Sequence, residues 1–482
     1  MTADESYDLL VRGALVLDGR DRPGAEADVG VRSGRIALVG RAPATARAGQ
    51  TVDGRGLALA PGFIDVHTHD DLEVILNPAM PAKITQGVTT VVVGNCGISA
   101  SPVRIGGEVP DPMNLLGEAE DFRYPRFADY RTAVEGARPA VNVAALVGHT
   151  SLRQNHMDRL DRAATANEIA AMRRQLRESI AEGALGLSTG LAYASAWHAP
   201  ASEVMELARE LPPGRFYATH LRDEFAGILP AMEEAFELGR ASGIPVRVSH
   251  LKCAGTDNWH RSAEVLAALQ DAAQRHDVAC DCYPYAASSS TLDLKQVTDA
   301  HDILVTWSEP HPEQGGRLLA DIARDWDVAL ADAARRLIPA GAVYYGMNEA
   351  DVRAILAHPL TMIGSDGLPR DPRPHPRLWG AFPRVLGHYA RDQGLFPLHT
   401  AVHKMTGLPA RAFGLQGRGV IERGAWADLV LFDPQRVRDT ADFHDSVRPA
   451  EGIVQVWVNG RPAYEEQRPS AQRHGRFLAP TT

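Results

Sequence analysis

The chain has 482 residues, with 50 Lys and Arg against 60 Asp and Glu, giving a formal net charge of −10. That length is ample for a large core, and the acidic balance argues against nucleic acid or an anionic membrane surface as a partner. The N-terminal MTADESYDLL has no basic region leading into an apolar core, and no apolar run approaches bilayer length.

A cytoplasmic, globular protein is therefore expected. Its four cysteines, Cys96, Cys253, Cys280 and Cys282, read as reduced thiols or metal ligands and not as a disulfide framework.

The first segments, YDLLVRGALVLDG, DVGVRSGRIALVG and GLALAPG, are short, apolar and β-rich, separated by Gly and Asp turns. The same texture returns near the C-terminus in GVIERG, ADLVLFD and GIVQVWVNGRPAY. Two such ends around a different middle predict one small β-sandwich or β-barrel domain built from both termini, residues 1–61 and 415–482.

Between them, over residues 62–414, apolar strands alternate with amphipathic helices. In order, the expected strands are FIDVHTH (63–69), TTVVVGN (89–95), NVAALVGH (142–149), ALGLST (184–189), FYATHLR (216–222), PVRVSHLK (245–252), VACDCYPY (278–285) and LTMIGSDG (360–367). Intervening stretches such as ANEIAAMRRQLRESIAEG and SAEVLAALQDAAQRHD repeat apolar residues at three and four spacing. Eight strands, each followed by helical sequence, predict an α/β fold of the (β/α)8 TIM-barrel type. A doubly wound open sheet competes, but no GxGxxG turn follows any strand. The seventh connection, residues 286–348, is long enough to be a lid over a site.

In such a barrel, function sits at the C-terminal ends of the strands. Those ends carry His67 and His69 (one), Cys96 (two), His149 (three), His220 (five), His250 with Lys252 (six) and Asp366 (eight). Alternation along a strand points His67 and His69 to one face, and His, Cys and Asp are ligand types suited to zinc. Each alone has an ordinary explanation: Cys96 as a buried thiol, His220 or His250 as a bonded core histidine, Asp366 as a turn residue between glycines, Lys252 as a surface lysine. Their shared position at strand ends favours a metal site. His149 reads as a residue near the site or facing substrate.

This set resembles the amidohydrolase superfamily. The superfamily's bridging Lys on strand four is absent from ALGLST, whereas VVVGNCGIS supplies Cys96 on strand two. Together with THLRDE, VSHLK, CDCYPY and MIGSDGLPRDPRPHPRLWG, the chain resembles the N-acyl-D-amino-acid deacylases over nearly its whole length. The resemblance implies one tightly bound Zn2+ held by Cys96, His220 and His250. It implies a second, weaker position at His67 and His69, with Cys96 able to bridge, and makes Asp366 the general acid and base. Lys252, Tyr283 and Arg377 would meet a substrate carboxylate, and Tyr344 and Met347 would line the side-chain pocket. The implied reaction is hydrolysis of small N-acyl-D-amino acids, with a monomer favoured. A cyclic-amide hydrolase of the hydantoinase or dihydroorotase kind is the rival with the same chemistry, weakened by the missing Lys. A catalytically inactive scaffold is the other, weakened by the filled ligand positions.

Overall fold

Eight short strands carry the segments singled out above. In the computed structural model, which describes residues 6–465 and 467–480, they are β1 (Phe63–Asp65), β2 (Val88–Val93), β3 (Asn142–Ala145, resumed at Val147–Gly148) and β4 (Gly186–Gly190). The remaining four are β5 (Phe216–His220), β6 (Val246–Val248), β7 (Val278–Cys282) and β8 (Thr361–Ile363). Each pairs in parallel with the next, from β1 through to β8. Among the described residues β1 and β8 share no ladder; one parallel bridge, Thr68 to Gly367, joins their continuations.

Alternation gives each strand two buried faces, which explains why these segments are nearly all apolar. Phe63, Val91, Val93, Val143, Tyr217, Val246 and Cys280 enter a large core with the helices. Their neighbours Ile64, Val92, Ala144, Ala218, Ala279 and Met362 enter a second core with Phe413 and Leu415. The helices begin and end on local signals. Thr165 and Glu168 form a reciprocal capping box at Ala166–Ala181. Gly243, at φ 72°, takes the left-handed position that ends Ile228–Ser242.

The two termini meet in one sheet. Ser6–Val16, Ala25–Arg32, Arg35–Gly40, Arg47–Asp53 and Ala58–Pro61 join Leu429–Phe432, Ile453–Val458, Arg461–Glu465 and Arg468–Pro469, with Leu429–Phe432 antiparallel to Ala58–Pro61. The long connection after β7 holds a four-stranded antiparallel sheet of Ser288–Thr291, Ile303–Ser308, Arg317–Leu318 and Ala340–Tyr344. It packs its own core against the helices Leu319–Asp325 and Leu330–Leu337. The fold is thus α/β with several sheets. No helix among the described residues is long and apolar enough to cross a membrane.

Candidate metal centre

The strand ends converge. Beyond β1, His67 and His69 continue past the hydrogen-bonded ladder, yet both imidazoles reach the same cluster. His67 Nε2 lies 3.2 Å from Cys96 Sγ, and Sγ lies 3.3 Å from His250 Nε2. Asp366 Oδ1 lies 3.4 Å from His67 Nε2 and 3.2 Å from His69 Nε2. Donor atoms of His67, Cys96, His250 and Asp366 fall within 4.8 Å of one another, as do those of His220, Glu224 and His250. The tightest four-donor group therefore mixes residues expected at two separate metal positions. His220 joins through its ring, 4.5 Å from that of His250.

Local backbone geometry makes the convergence. Cys96 stands in the turn GNCG with φ 52°, between Gly94 and Gly97, both at positive φ. A Cβ on Gly94 would meet the Leu146 carbonyl at 2.4 Å, and one on Gly97 the Gly190 nitrogen at 2.5 Å, so only glycine lets the chain turn here. His250 (φ 34°) and Asp366 (φ 49°) are left-handed as well. Three chemistry-bearing residues share a conformation that costs about 1–2 kcal/mol each.

The charges are organised around the thiol. Burial opposes ionisation of Cys96, but His67, His220 and His250 hold it well below the ordinary thiol range. Burial instead pushes Cys253 and Cys280 up to about 12, and Cys282 well above its usual value, so these three are inert thiols. For Asp366, burial is outweighed by Arg377 and the surrounding imidazoles, which keep the carboxyl well below its usual range. His69, despite burial, is raised to about 9 by its bonds to Asp366 and Cys96. Anionic sulfur and carboxylate oxygen among imidazoles form a pocket that demands positive charge. The buried Nδ1 atoms of His69 and His220 have no hydrogen-bond partner among the described residues. A borderline-soft divalent ion such as zinc fits this donor set.

Around the cluster stand residues that sequence alone did not single out. Asp281, on the face of β7 opposite Cys280 and Cys282, accepts from the His250 backbone N at 2.9 Å and lies 3.3 Å from His67 Nδ1. Glu224, four residues after His220 in THLRDE, sits 2.9 Å from His250 Nδ1 and 2.6 Å from Lys252 Nζ. The i+4 spacing was the one available signal. Such partners fix the orientation of ligand imidazoles. Tyr193 packs its ring 4.8 Å from His220.

Lys252, Tyr283 and Arg377 gather beside the cluster. Arg377 is buried, with Nη1 2.9 Å from Asp366 Oδ2 as an ion pair, Nη2 donating to the Ser289 carbonyl at 3.0 Å, and its guanidinium 4.6 Å from the Tyr283 ring. The Tyr283 hydroxyl donates to Met347 Sδ at 3.6 Å, its one hydrogen-bond partner among the described residues. Tyr344 belongs to the inserted sheet, where its hydroxyl donates to the Thr291 carbonyl and accepts from Asp293 N, both at 2.8 Å. His149 opens the helix His149–His156 and is fully buried. Its Nε2 lies 3.0 Å from Glu203, which also pairs with Arg153.

The amidohydrolase family profile matches residues 50–464. The D-aminoacylase of Alcaligenes xylosoxydans xylosoxydans is 50% identical over 99% of this chain and 98% of its own length. The N-acyl-D-aspartate deacylase of the same organism is 47% identical over 99% and 96%. Among solved structures, the N-acyl-D-glutamate deacylase from Bordetella bronchiseptica, complexed with zinc and a phosphonate inhibitor that mimics the tetrahedral intermediate, superposes with a TM-score of 0.95. It is 45% identical over 98% of this chain and 100% of that one.

Proposed function

The chain belongs to the amidohydrolase family, and from that premise we propose that it is a zinc-dependent N-acyl-D-amino-acid deacylase, releasing a carboxylate and a free D-amino acid. The observation that carries the reading is the thiol–imidazole–carboxylate cluster with three anion-seeking groups beside it. Cys96, His220 and His250 would hold the tight zinc, and His67 and His69 would offer a weaker position to which Cys96 could also contribute. Bound there, zinc supplies a Lewis acid that makes water nucleophilic near neutral pH and polarises the amide carbonyl.

The chain's own residues do the rest. Asp366 accepts the proton of the attacking water and returns it to the leaving nitrogen. Lys252, Tyr283 and Arg377 receive the substrate carboxylate, and each has an uncommitted donor. Among the described residues Arg377 Nε has no hydrogen-bond partner, Tyr283 offers its hydroxyl to a sulfur alone, and the Lys252 ammonium has three protons for Glu224 and His250. Tyr344 and Met347 line the amino-acid side chain's space, and His149 with Glu203 and Arg153 supports the end of β3. The run of parallel pairs, with one bridge joining the continuations of β1 and β8, supports a (β/α)8 barrel over 62–414, and the shared terminal sheet supports a small β domain of 1–61 and 415–482. Residues 286–348 act as a lid. Ser289 and Met347 touch Arg377 and Tyr283, and Thr306 donates to Asp371 in the loop after β8 at 2.7 Å.

Zinc analysis of the purified protein, with a steady-state panel of N-acetyl-D- and N-acetyl-L-amino acids (Met, Leu, Phe, Glu, Asp), tests the proposal. Turnover confined to a cyclic amide, or none at full zinc, would replace it with a rival.

A further inference from the structure

The weak point of the parallel pairing is the seam between β1 and β8, and a buried ammonium fills it. Lys83 sits on the four-residue helix Pro81–Ile84 and has no exposed surface. Its Nζ lies 2.8 Å from Asp65 Oδ2, 2.9 Å from Thr68 Oγ1, 2.9 Å from Ser365 Oγ and 3.2 Å from Asp70 Oδ2. Asp65, Thr68 and Asp70 belong to β1 and the histidine-bearing continuation; Ser365 immediately precedes Asp366. Every partner therefore comes from the two segments that bear His67, His69 and Asp366.

Asp65 doubles the tie. Its Oδ1 accepts from Ser365 N at 2.9 Å and its Oδ2 from Ser365 Oγ at 2.6 Å. Ser365 Oγ in turn accepts from Gly367 N at 3.1 Å, which shapes the turn around Asp366. Among the described residues, two backbone bonds reinforce the seam: Asp366 N to the His67 carbonyl at 2.7 Å and His69 N to the Gly367 carbonyl at 3.0 Å. A Cβ on Gly367 would stand 3.2 Å from Lys83 Nζ, so the turn is packed directly against the ammonium.

We infer that Lys83, acting with Asp65 and Ser365, is a positioning residue that holds Asp366 in register with His67 and His69. The inference rests on the functional reading in which Asp366 carries the proton. A buried ion pair is a poor stabiliser compared with apolar packing of the same shape, and its best-attested use is to fix geometry. Here the geometry fixed is the placement of Asp366 Oδ1 between two imidazoles. Reacting groups tolerate little misplacement, since a shift of about 1 Å costs on the order of 10²-fold. Cys96 follows β2, His220 ends β5 and His250 follows β6, outside the two segments that Lys83 ties together, so the tight metal position and the carboxylate contacts should be indifferent to Lys83.

The test compares wild type, Ser365→Ala, Lys83→Met, and the Lys83→Met/Asp65→Asn pair, with Asp366→Asn as reference. Each is assayed for kcat, KM on an N-acetyl-D-amino acid, zinc content and melting temperature. Expected are a fall in kcat of roughly 10–10²-fold, KM within about threefold of wild type, and zinc at the tight position retained. The double variant distinguishes positioning from support of the fold: melting temperature should recover while kcat stays low. Recovery of kcat along with melting temperature overturns the inference, as does a fall explained by zinc loss or by a rise in KM alone. Should a Lys83 variant fail to fold, Ser365→Ala decides, and kcat within twofold of wild type overturns it. A wild-type enzyme inert on these substrates sinks the functional reading and this inference together. An active wild type with an unaffected Ser365→Ala sinks this inference alone.

Discussion

Replacing Asp366 by Asn isolates the proton from everything else the residue does. The substitution keeps size and shape, and Asn tolerates the left-handed backbone at φ 49° as readily as Asp. The fold and the tight zinc position should therefore persist. What disappears is a base beside the cluster and the anion that engages Arg377 Nη1 at 2.9 Å. Loss of general acid–base catalysis typically costs 10²–10⁴-fold, and at 1.36 kcal/mol per decade that is about 2.7–5.4 kcal/mol of transition-state stabilisation. The structure adds a second expectation. Arg377, released from Asp366, has a free Nη1 as well as a free Nε for the substrate carboxylate, so KM should hold steady or fall while kcat collapses. Steady-state kinetics on an N-acetyl-D-amino acid, with zinc measured on the same preparation, reads both. A variant with full zinc and more than a tenth of wild-type kcat would show that another group handles the proton, with His67 and His69 the first to examine.

Cys96→Ala should lose tightly bound zinc and turnover together while keeping a native circular dichroism spectrum; wild-type zinc content would reduce Cys96 to a buried thiol. Residues 286–348 should gain hydrogen-exchange protection when a product or inhibitor binds, and identical exchange in both states would remove the lid. Asp371, pushed up to about 6 mainly by burial, gives a pH-dependent prediction. A carboxyl with a raised folded pKa contributes stability below its unfolded value of 3.8, and that contribution drains as pH rises to about 6. Above that, the folded state carries a buried charge that Asn lacks, so Asp371→Asn should be the more stable at pH 8, by at most about 3 kcal/mol, the rise from 3.8 to about 6 taken at 1.36 kcal/mol per unit. Thermal melts at pH 8 and pH 5 check it, and a gap that fails to shrink toward pH 5 refutes the cause.

The eight strands were legible because parallel strands buried on both faces are nearly continuous apolar runs, and the helices because their periodicity differs. The cluster residues were legible because each closes one of those runs. Asp281 was hidden by its setting. In ACDCY, the cysteines attract attention, and only the alternation of faces shows that Asp281 looks toward the cluster while Cys280 and Cys282 enter the helix-facing core. Lys83 was hidden by distance, since its contact with Ser365 spans 282 positions. The inserted sheet is not legible in the sequence because its first strand, Ser288–Thr291, is all hydroxyl residues and has no apolar alternation. His149 shares its place at a strand end with the ligand candidates, and pattern alone cannot separate an imidazole held by Glu203 from one open to a metal.

The left-handed backbone at residues 96, 250 and 366 has a consequence for anyone breeding this protein for heat tolerance. At each of those positions the backbone conformation by itself favours glycine over the functional side chain, and at 96 and 250 it also favours asparagine. A screen that rewards survival at high temperature without demanding turnover can gain up to about 1–2 kcal/mol by relaxing that strain at 96 or 250, whereas at 366 losing the carboxylate would leave the buried Arg377 unpaired. The hardiest isolates will then be inert, and catalysis must be selected at every round for thermal improvement to come from elsewhere in the chain.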